Sequence, residues 1–431
     1  MLPIGRCGLN STATPINSKK LDPIALILGN GTGAVIQALA FAWLGRIAGA
    51  SIISPYVLFV SLVAPLATIS HIKLDDAIVF IDSPRRRGQA FVMALTAIVL
   101  FAILASALAW KLSQHFESWS LVTPWTVLLG TVAMGLFILS QGLLNAEEKY
   151  RSISFANFLR PALVGLSQIG LIYAGRIDAH LVMFAFGMGT LLVAAFMLVR
   201  VDWRGQFALP GFDAKDYRDT LHEVRRFPIL AAPSLLMSSL SAQSLVYYLS
   251  FLNFAPMIAA YGMASRVVGF PARILSSSLG GFFMKRIAVI KSEGRPAWPS
   301  LRRYYLTIGG LGLAIFSILF FFAPAIFVAI LGPDWSEAGI VARIIIPWIL
   351  LVLVIGPTTR IFSVFGAQAQ EARMQALLFG LRILGMWIGQ ASGATFGIVI
   401  GFAIASCLGW ILYLLSLRRI VTQAEEANRE H

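Results

Sequence analysis

Residues 85–111 read RRRGQAFVMALTAIVLFAILASALAWK. No charge interrupts the run from Gly88 to Trp110. As an α-helix rising 1.5 Å per residue, such a run covers the ~30 Å of hydrocarbon in a bilayer. Three arginines close one end and a single lysine closes the other. That unequal bracket is the second half of the message, because basic residues gather on the cytoplasmic side of membrane helices.

The same apolar pattern recurs in both directions along the chain. Spans are read at 22–45, 55–72, 89–111, 121–144, 153–174, 181–201, 227–251, 258–282, 304–330, 338–362, 374–392 and 396–417. They are read as helices because backbone groups in lipid need internal partners and no alternating barrel pattern is present. The chain has 431 residues, 58% hydrophobic and 13% charged. Soluble domains carry roughly 25% charged residues, so lipid must cover much of this surface. The first apolar stretch contains Ala38-Leu39-Ala40, a possible cleavage signal. It exceeds the ~7–15 residues of a signal core and is read as a retained span.

Sorting Lys and Arg by loop fixes the sidedness. One side receives Arg6, Lys19 and Lys20, then Lys73 and Arg85 to Arg87, then Lys149 and Arg151. It also receives Arg200, Arg204, Lys215, Arg218, Arg225 and Arg226, followed by Lys285, Arg286, Lys291, Arg295, Arg302 and Arg303. Arg373, Arg418, Arg419 and Arg429 complete that set of twenty-five. The opposite side has three: Arg46, Lys111 and Arg176. Both termini are therefore expected in the cytoplasm, with an even number of about twelve crossings. The net charge of +14 reflects this sidedness, and no nucleic-acid partner is expected.

Six arginines remain inside spans: Arg160, Arg266, Arg273, Arg343, Arg360 and Arg382. No acidic residue lies at that depth. An arginine at mid-bilayer costs about 2.5–3.5 kcal/mol on insertion scales. Without carboxylates to offset it, these groups must face water, backbone carbonyls or an anion. Arg160, Arg343 and Arg360 lie near enough to span ends to reach the interface instead. Arg266 and Arg273 are two turns apart on one face of span eight, and Arg382 is near mid-span. Guanidinium matches phosphate oxygens bidentately, so a cavity lined by such groups suits an anionic cargo. Arg266, Arg273, Arg382 and Arg160 are the candidate binding residues. Gln37 and Gln243, polar within spans one and seven, either line the same cavity or bond between helices.

Other chemistry is not indicated. Cys7 and Cys407 form no CxxC or metal spacing, and no metal or cofactor is expected. His115, His180 and His222 fall in different loops, and no nucleophile motif or phosphate-cradling Gly-Lys loop is present, so an enzyme is not expected. Gly393, Gly397 and Gly401 suggest tight helix packing. Pro161, Pro271, Pro324, Pro347 and Pro357 are hinges or kinks.

The chain divides evenly. A cytoplasmic tail (1–21) precedes a first lobe of six spans (22–201). A charged linker (202–226), broken by Pro210-Gly211, leads to a second lobe (227–417) and a cytoplasmic tail (418–431). A faint repeat supports the division. Gln37, Tyr56 and Pro65 in the first lobe echo Gln243, Tyr261 and Pro271 in the second. Two parallel repeats with a cavity between them would work by rocking.

Several motifs carry a family resemblance. They are Ser54-Pro-Tyr-Val-Leu-Phe through Ile72-Lys-Leu-Asp-Asp-Ala-Ile-Val, Phe227-Pro228, and Tyr261-Gly-Met-Ala-Ser-Arg266 with Phe270-Pro271. The fullest is Leu331-Gly-Pro-Asp-Trp-Ser-Glu-Ala-Gly339. Together they resemble the Wzx-type oligosaccharide flippases of the multidrug/oligosaccharidyl-lipid/polysaccharide (MOP) exporter superfamily. The resemblance implies an all-α, MATE-like, V-shaped pair of six-helix lobes, with the cavity lined by the first two helices of each lobe. It implies an undecaprenyl-pyrophosphate-linked oligosaccharide, an O-antigen or exopolysaccharide unit, as cargo. It further implies a place in the bacterial inner membrane, in contact with lipid and beside a polysaccharide polymerase and a chain-length regulator. The alternatives are a multidrug or toxin extruder of the same superfamily, and a membrane polymerase or ligase acting on lipid-linked sugars.

Overall fold

The computed structural model describes residues 22–81, 83–207, 214–225 and 232–429. The linker break Pro210-Gly211 and Phe227-Pro228 lie outside them, as do the first 21 residues. Among the described residues every regular element is helical.

Helix α1 (Asp22–Ser70) carries two crossings. Gly49 breaks it with φ 68° and ψ −173°, a conformation that glycine adopts readily. The chain doubles back there, for the rings of Phe41 and Tyr56 lie 5.8 Å apart across the break. The short α2 (Leu74–Phe80) follows on the cytoplasmic side, then α3 (Pro84–His115), α4 (Pro124–Ala146), α5 (Tyr150–Tyr173) and α6 (Ala179–Val199). Proline sits at the first positions of α3 and α4, where no helical N–H is lost. Asp178 caps α6, accepting from the N–H groups of His180 and Leu181. Two short helices, α7 (Trp203–Gln206) and α8 (Ala214–Val224), lie in the linker.

The second half comprises α9 (Ala232–Phe251), α10 (Ala255–Ser292), α11 (Trp298–Leu331), α12 (Ser336–Ile355), the short α13 (Ile361–Val364), α14 (Gln368–Ala391) and α15 (Gly397–Arg429). Span ten was expected to reach 362. The helix stops at Ile355, and Pro357 opens a separate turn that places the exposed Arg360 beyond it. Helix α10 is 38 residues long, ~57 Å, well beyond the ~30 Å of hydrocarbon in a bilayer.

Eight helical stretches are long and apolar enough to cross a membrane by length and composition alone, the α1 hairpin counting as one. Helices α9, α10 and α14 add three crossings by their length, and with α1 counted twice the total is twelve.

The buried side chains form three clusters. One is shared by both lobes and joins Leu44, Ile53 and Trp119 to Met263, Trp335 and Phe402. The second lies within the first lobe, from Leu74 to Val224. The third lies within the second lobe, from Ile287 to Val421. Since Trp119 and Trp335 belong to outer turns, the shared core holds the lobes together toward the outer face. Toward the cytoplasm each lobe keeps a core of its own.

Two local features repay the sequence reading. Gly332, at φ 108°, ends α11, and Gly339 meets the backbone of Pro324 so closely that a Cβ would clash. The expected glycine packing is also present, but as a pairing: Gly397 and Gly401 of α15 abut Gly389 and Gly385 of α14. Gly393 instead supplies the positive-φ turn between them.

Candidate functional site

A cavity of about 530 Å³ lies between the lobes. Helices α1, α9 and α10 furnish most of its wall, with single residues from α4, α5 and α6 and a patch of α12. Close packing explains how α5 reaches it. Gly33 of α1 sits against the backbone of Asn157 and Phe158, and Gly165 of α5 sits against Ala40. With no side chains to hold the helices apart, Arg160 comes to lie beside Gln37.

Four of the expected residues converge here: Arg160, Arg266, Gln37 and Gln243 all line the cavity. Arg160 lies ten residues into α5 and Arg266 eleven residues into α10, each ~15 Å from the start of its helix. Arg266 stacks its guanidinium 3.9 Å from the centre of the Phe41 ring and 5.2 Å from that of Tyr56. Arg160 stands 4.9 Å from the Phe137 ring, and its Nη1 approaches the Met134 sulfur at 3.5 Å. Its Nε is buried with no hydrogen-bond acceptor among the described residues. Aromatic faces stabilise a cation without neutralising it. Among the described residues no carboxylate lines the cavity.

The other interior arginines are placed differently. Arg273 continues α10, but its side chain lies outside the described residues. Arg382, expected to line the cavity, is buried inside the second lobe at 4% exposure. Its Nη1 donates to the carbonyl and the hydroxyl of Ser241, both at 2.8 Å, and its Nε donates to the Ser406 hydroxyl at 3.0 Å. Trp348 and Phe402 cover its faces. Its acceptors are therefore built into the lobe, and it does not reach the cavity wall. Arg343 donates to the carbonyls of Phe320 and Phe321, at 2.9 and 3.0 Å. Pro324, four residues beyond Phe320, has no N–H to occupy that carbonyl, so Arg343 closes a gap that proline opened.

Sequence reasoning overlooked Tyr56, Tyr261, Ser61, Ser265 and Trp348 in the wall. The signal for the two tyrosines was present. Gln37–Tyr56 and Gln243–Tyr261 are the first two members of the internal echo, and all four line the cavity. Pro65, the third member in the first lobe, leaves the Ser61 carbonyl without its helical donor, and Tyr247 of α9 bonds to it at 2.5 Å.

The remaining bonds between lobes gather at the outer end. Trp335 Nε1 donates to the Gly45 carbonyl at 3.1 Å, and Arg46 Nη1 to the Ile330 carbonyl at 2.8 Å. The Ser118 hydroxyl donates to the Ser250 carbonyl at 2.9 Å, and the Ser118 N–H to Asn253 Oδ1 at 3.1 Å.

This arrangement of helices has solved counterparts. An inward-facing multidrug resistance MATE family transporter of the MOP superfamily superposes with a TM-score of 0.71 at 13% identity, over 94% of this chain and 99% of that one. The lipid II flippase MurJ, in an inward closed conformation, gives 0.72 at 12% identity, over 95% and 90%. An outward-facing MATE family transporter gives 0.58 at 15% identity, over 94% and 96%. These solved structures share the expected all-α, MATE-like fold with this chain. No protein-family model matches the sequence, and no curated protein matches it.

Proposed function

We propose that this protein is a flippase for undecaprenyl-pyrophosphate-linked oligosaccharide in the bacterial inner membrane. The observation that carries the reading is the cavity's charge: Arg160 and Arg266 at mid-membrane depth, with no carboxylate in the wall. A pyrophosphate supplies the missing negative charge and accepts bidentate bonds from guanidinium. Gln37, Gln243, Tyr56, Tyr261, Ser61 and Ser265 offer the amide and hydroxyl groups that hydrogen-bond sugars. At about 530 Å³ the cavity has room for the pyrophosphate and the first sugars, while the prenyl tail stays in lipid at the cleft between lobes. Arg273, on the same helix two turns nearer the cytoplasm, lies on the route such a headgroup would follow.

The core and hydrogen bonds that join the lobes at the end carrying Trp119 and Trp335 support reading this as an inward-facing state. Rocking the lobes would break the outer bonds and carry the headgroup across. A polymerase and a chain-length regulator of surface polysaccharide would act on the delivered unit. The chain performs no chemical step of its own.

Deletion should abolish the surface polysaccharide and leave lipid-linked repeat units on the cytoplasmic face. Complementation with the intact protein should restore export, and Arg266→Ala should not. Full export by Arg266→Ala and by the Arg160→Ala, Arg266→Ala pair would end this reading.

A multidrug extruder has the same fold in its favour, since the two TM-scores of 0.71 and 0.72 do not separate the classes. The sign of the wall favours the flippase, because two arginines and no carboxylate among the described lining residues disfavour an organic cation. Dye-accumulation assays decide: cationic-dye efflux with polysaccharide export intact in the deletion strain would favour the extruder.

A further inference from the structure

At the cytoplasmic ends of α10 and α11, well away from the central cavity, a second concavity of about 560 Å³ opens between the two helices. Arg286 of α10 and Arg303 of α11 stand in its wall, together with Ser300, Tyr304 and Thr307. A smaller hollow of about 330 Å³ continues it around Arg303 and adds Arg302 and Trp298. Three arginines, three hydroxyl residues and a tryptophan thus share one groove.

Carboxylates do not neutralise it. Glu425, the acid nearest to Trp298, accepts the backbone N–H groups of Ala297 and Trp298, at 2.6 and 2.8 Å. Glu293 pairs with Arg295. Among the described residues no ion pair reaches Arg286, Arg302 or Arg303. Arg418 of α15 adds a further cation, stacked 5.4 Å from the Trp298 ring.

Depth identifies the ligand. Arg286 lies at the cytoplasmic end of α10, and Arg302 and Arg303 in the first turns of α11. Deeper along α11 the wall becomes apolar at Ile308, and Leu306 and Leu311 are exposed. Tryptophan marks the headgroup level in membrane helices. A groove that is cationic at the headgroup and apolar beneath it matches an amphiphile with a phosphate head and hydrocarbon tails. Basic pockets between helices on the cytoplasmic side bind such heads.

We infer that the α10–α11 groove is a binding site for an anionic phospholipid of the cytoplasmic leaflet, its phosphate held by Arg286 and Arg303. The site stands apart from the central cavity and does not depend on the cargo proposed above. Because α10 also carries Arg266, a lipid bound here fastens the inner end of a cavity-lining helix to its neighbour.

The test uses the full-length protein in neutral detergent, titrated with phosphatidylglycerol, phosphatidylcholine, inorganic phosphate or pyrophosphate, and read by native mass spectrometry. Phosphatidylglycerol should remain bound, while phosphatidylcholine and the soluble anions should not compete at equal concentration. Each of Arg286→Gln and Arg303→Gln should weaken retention about fivefold. Thr307→Trp, which fills the groove and leaves every charge in place, should weaken it as well. Equal retention by all three variants overturns the assignment. So does equal binding of phosphatidylcholine, which would make the site a neutral lipid groove. Displacement by phosphate or pyrophosphate also overturns it, because the site would then serve a soluble anion.

Discussion

Arg266 and Arg382 are the same residue type at similar membrane depth, and the two places that hold them could hardly differ more. Around Arg382 the second lobe supplies two hydroxyls, a carbonyl and two aromatic faces, and the side chain is buried. Around Arg266 the lobes supply the rings of Phe41 and Tyr56 on one side and an open cavity on the other. The first arginine is a structural strut whose acceptors come from two helices of one lobe. The second leans on residues of the opposite lobe and faces the space where a cargo would pass. Depth and charge alone do not distinguish a strut from a site. What distinguishes them is whether the side chain is enclosed within one lobe or lines the cavity between the two.

That contrast can be broken by substitution. Arg382→Ala should produce the largest change, in stability: it removes charged hydrogen bonds worth about 1.5–3 kcal/mol each and opens a void. A net loss of about 3 kcal/mol is expected, read as a lower melting temperature and poor yield, and a melting curve equal to wild type would make Arg382 no strut. Arg266→Ala should leave melting nearly unchanged and reduce transport about tenfold or more, a loss on the scale of one charged hydrogen bond. Destabilisation matching that of Arg382→Ala would erase the distinction drawn here. Trp335→Phe removes one inter-lobe hydrogen bond, worth about 1 kcal/mol, and should make cysteines placed near Tyr56 more accessible from outside. Unchanged labelling would show that the outer closure rests elsewhere. The finest effect belongs to Arg266→Lys, which keeps the charge and loses the planar fork. It should retain transport to within a few-fold, and only that variant separates charge from bidentate geometry.

The crossings and their sides were legible because they depend on additive quantities, apolar length and basic charge. The hairpin at Gly49 was not foreseen as an unbroken helical run, since one glycine achieved what a loop was expected to do. Site legibility was uneven for a different reason. Which face of a helix meets the cavity depends on neighbours distant in sequence. Arg160 reaches the wall because Gly33 and Gly165 let α1 and α5 approach, and Arg382 leaves it because Ser241 and Ser406 converge from α9 and α15. Neither circumstance is local. The internal echo was the better guide to the site: it marked Gln37, Tyr56, Gln243 and Tyr261 as equivalent before any of them had a place.

Across the outer closure Gly45, Ile330, Ser250 and, nearer the cavity, Ser61 accept through main-chain carbonyls, and Asn253 accepts through its side-chain Oδ1. A carbonyl oxygen is present whatever the side chain, so half of the gate is immune to substitution. A mutational scan would register Trp335, Arg46, Ser118 and Tyr247 and stay silent about the residues they grip. Each such bond is neutral on the acceptor side and each carbonyl can turn to water when the lobes part. The latch is therefore one that opens without leaving a stranded charge behind it.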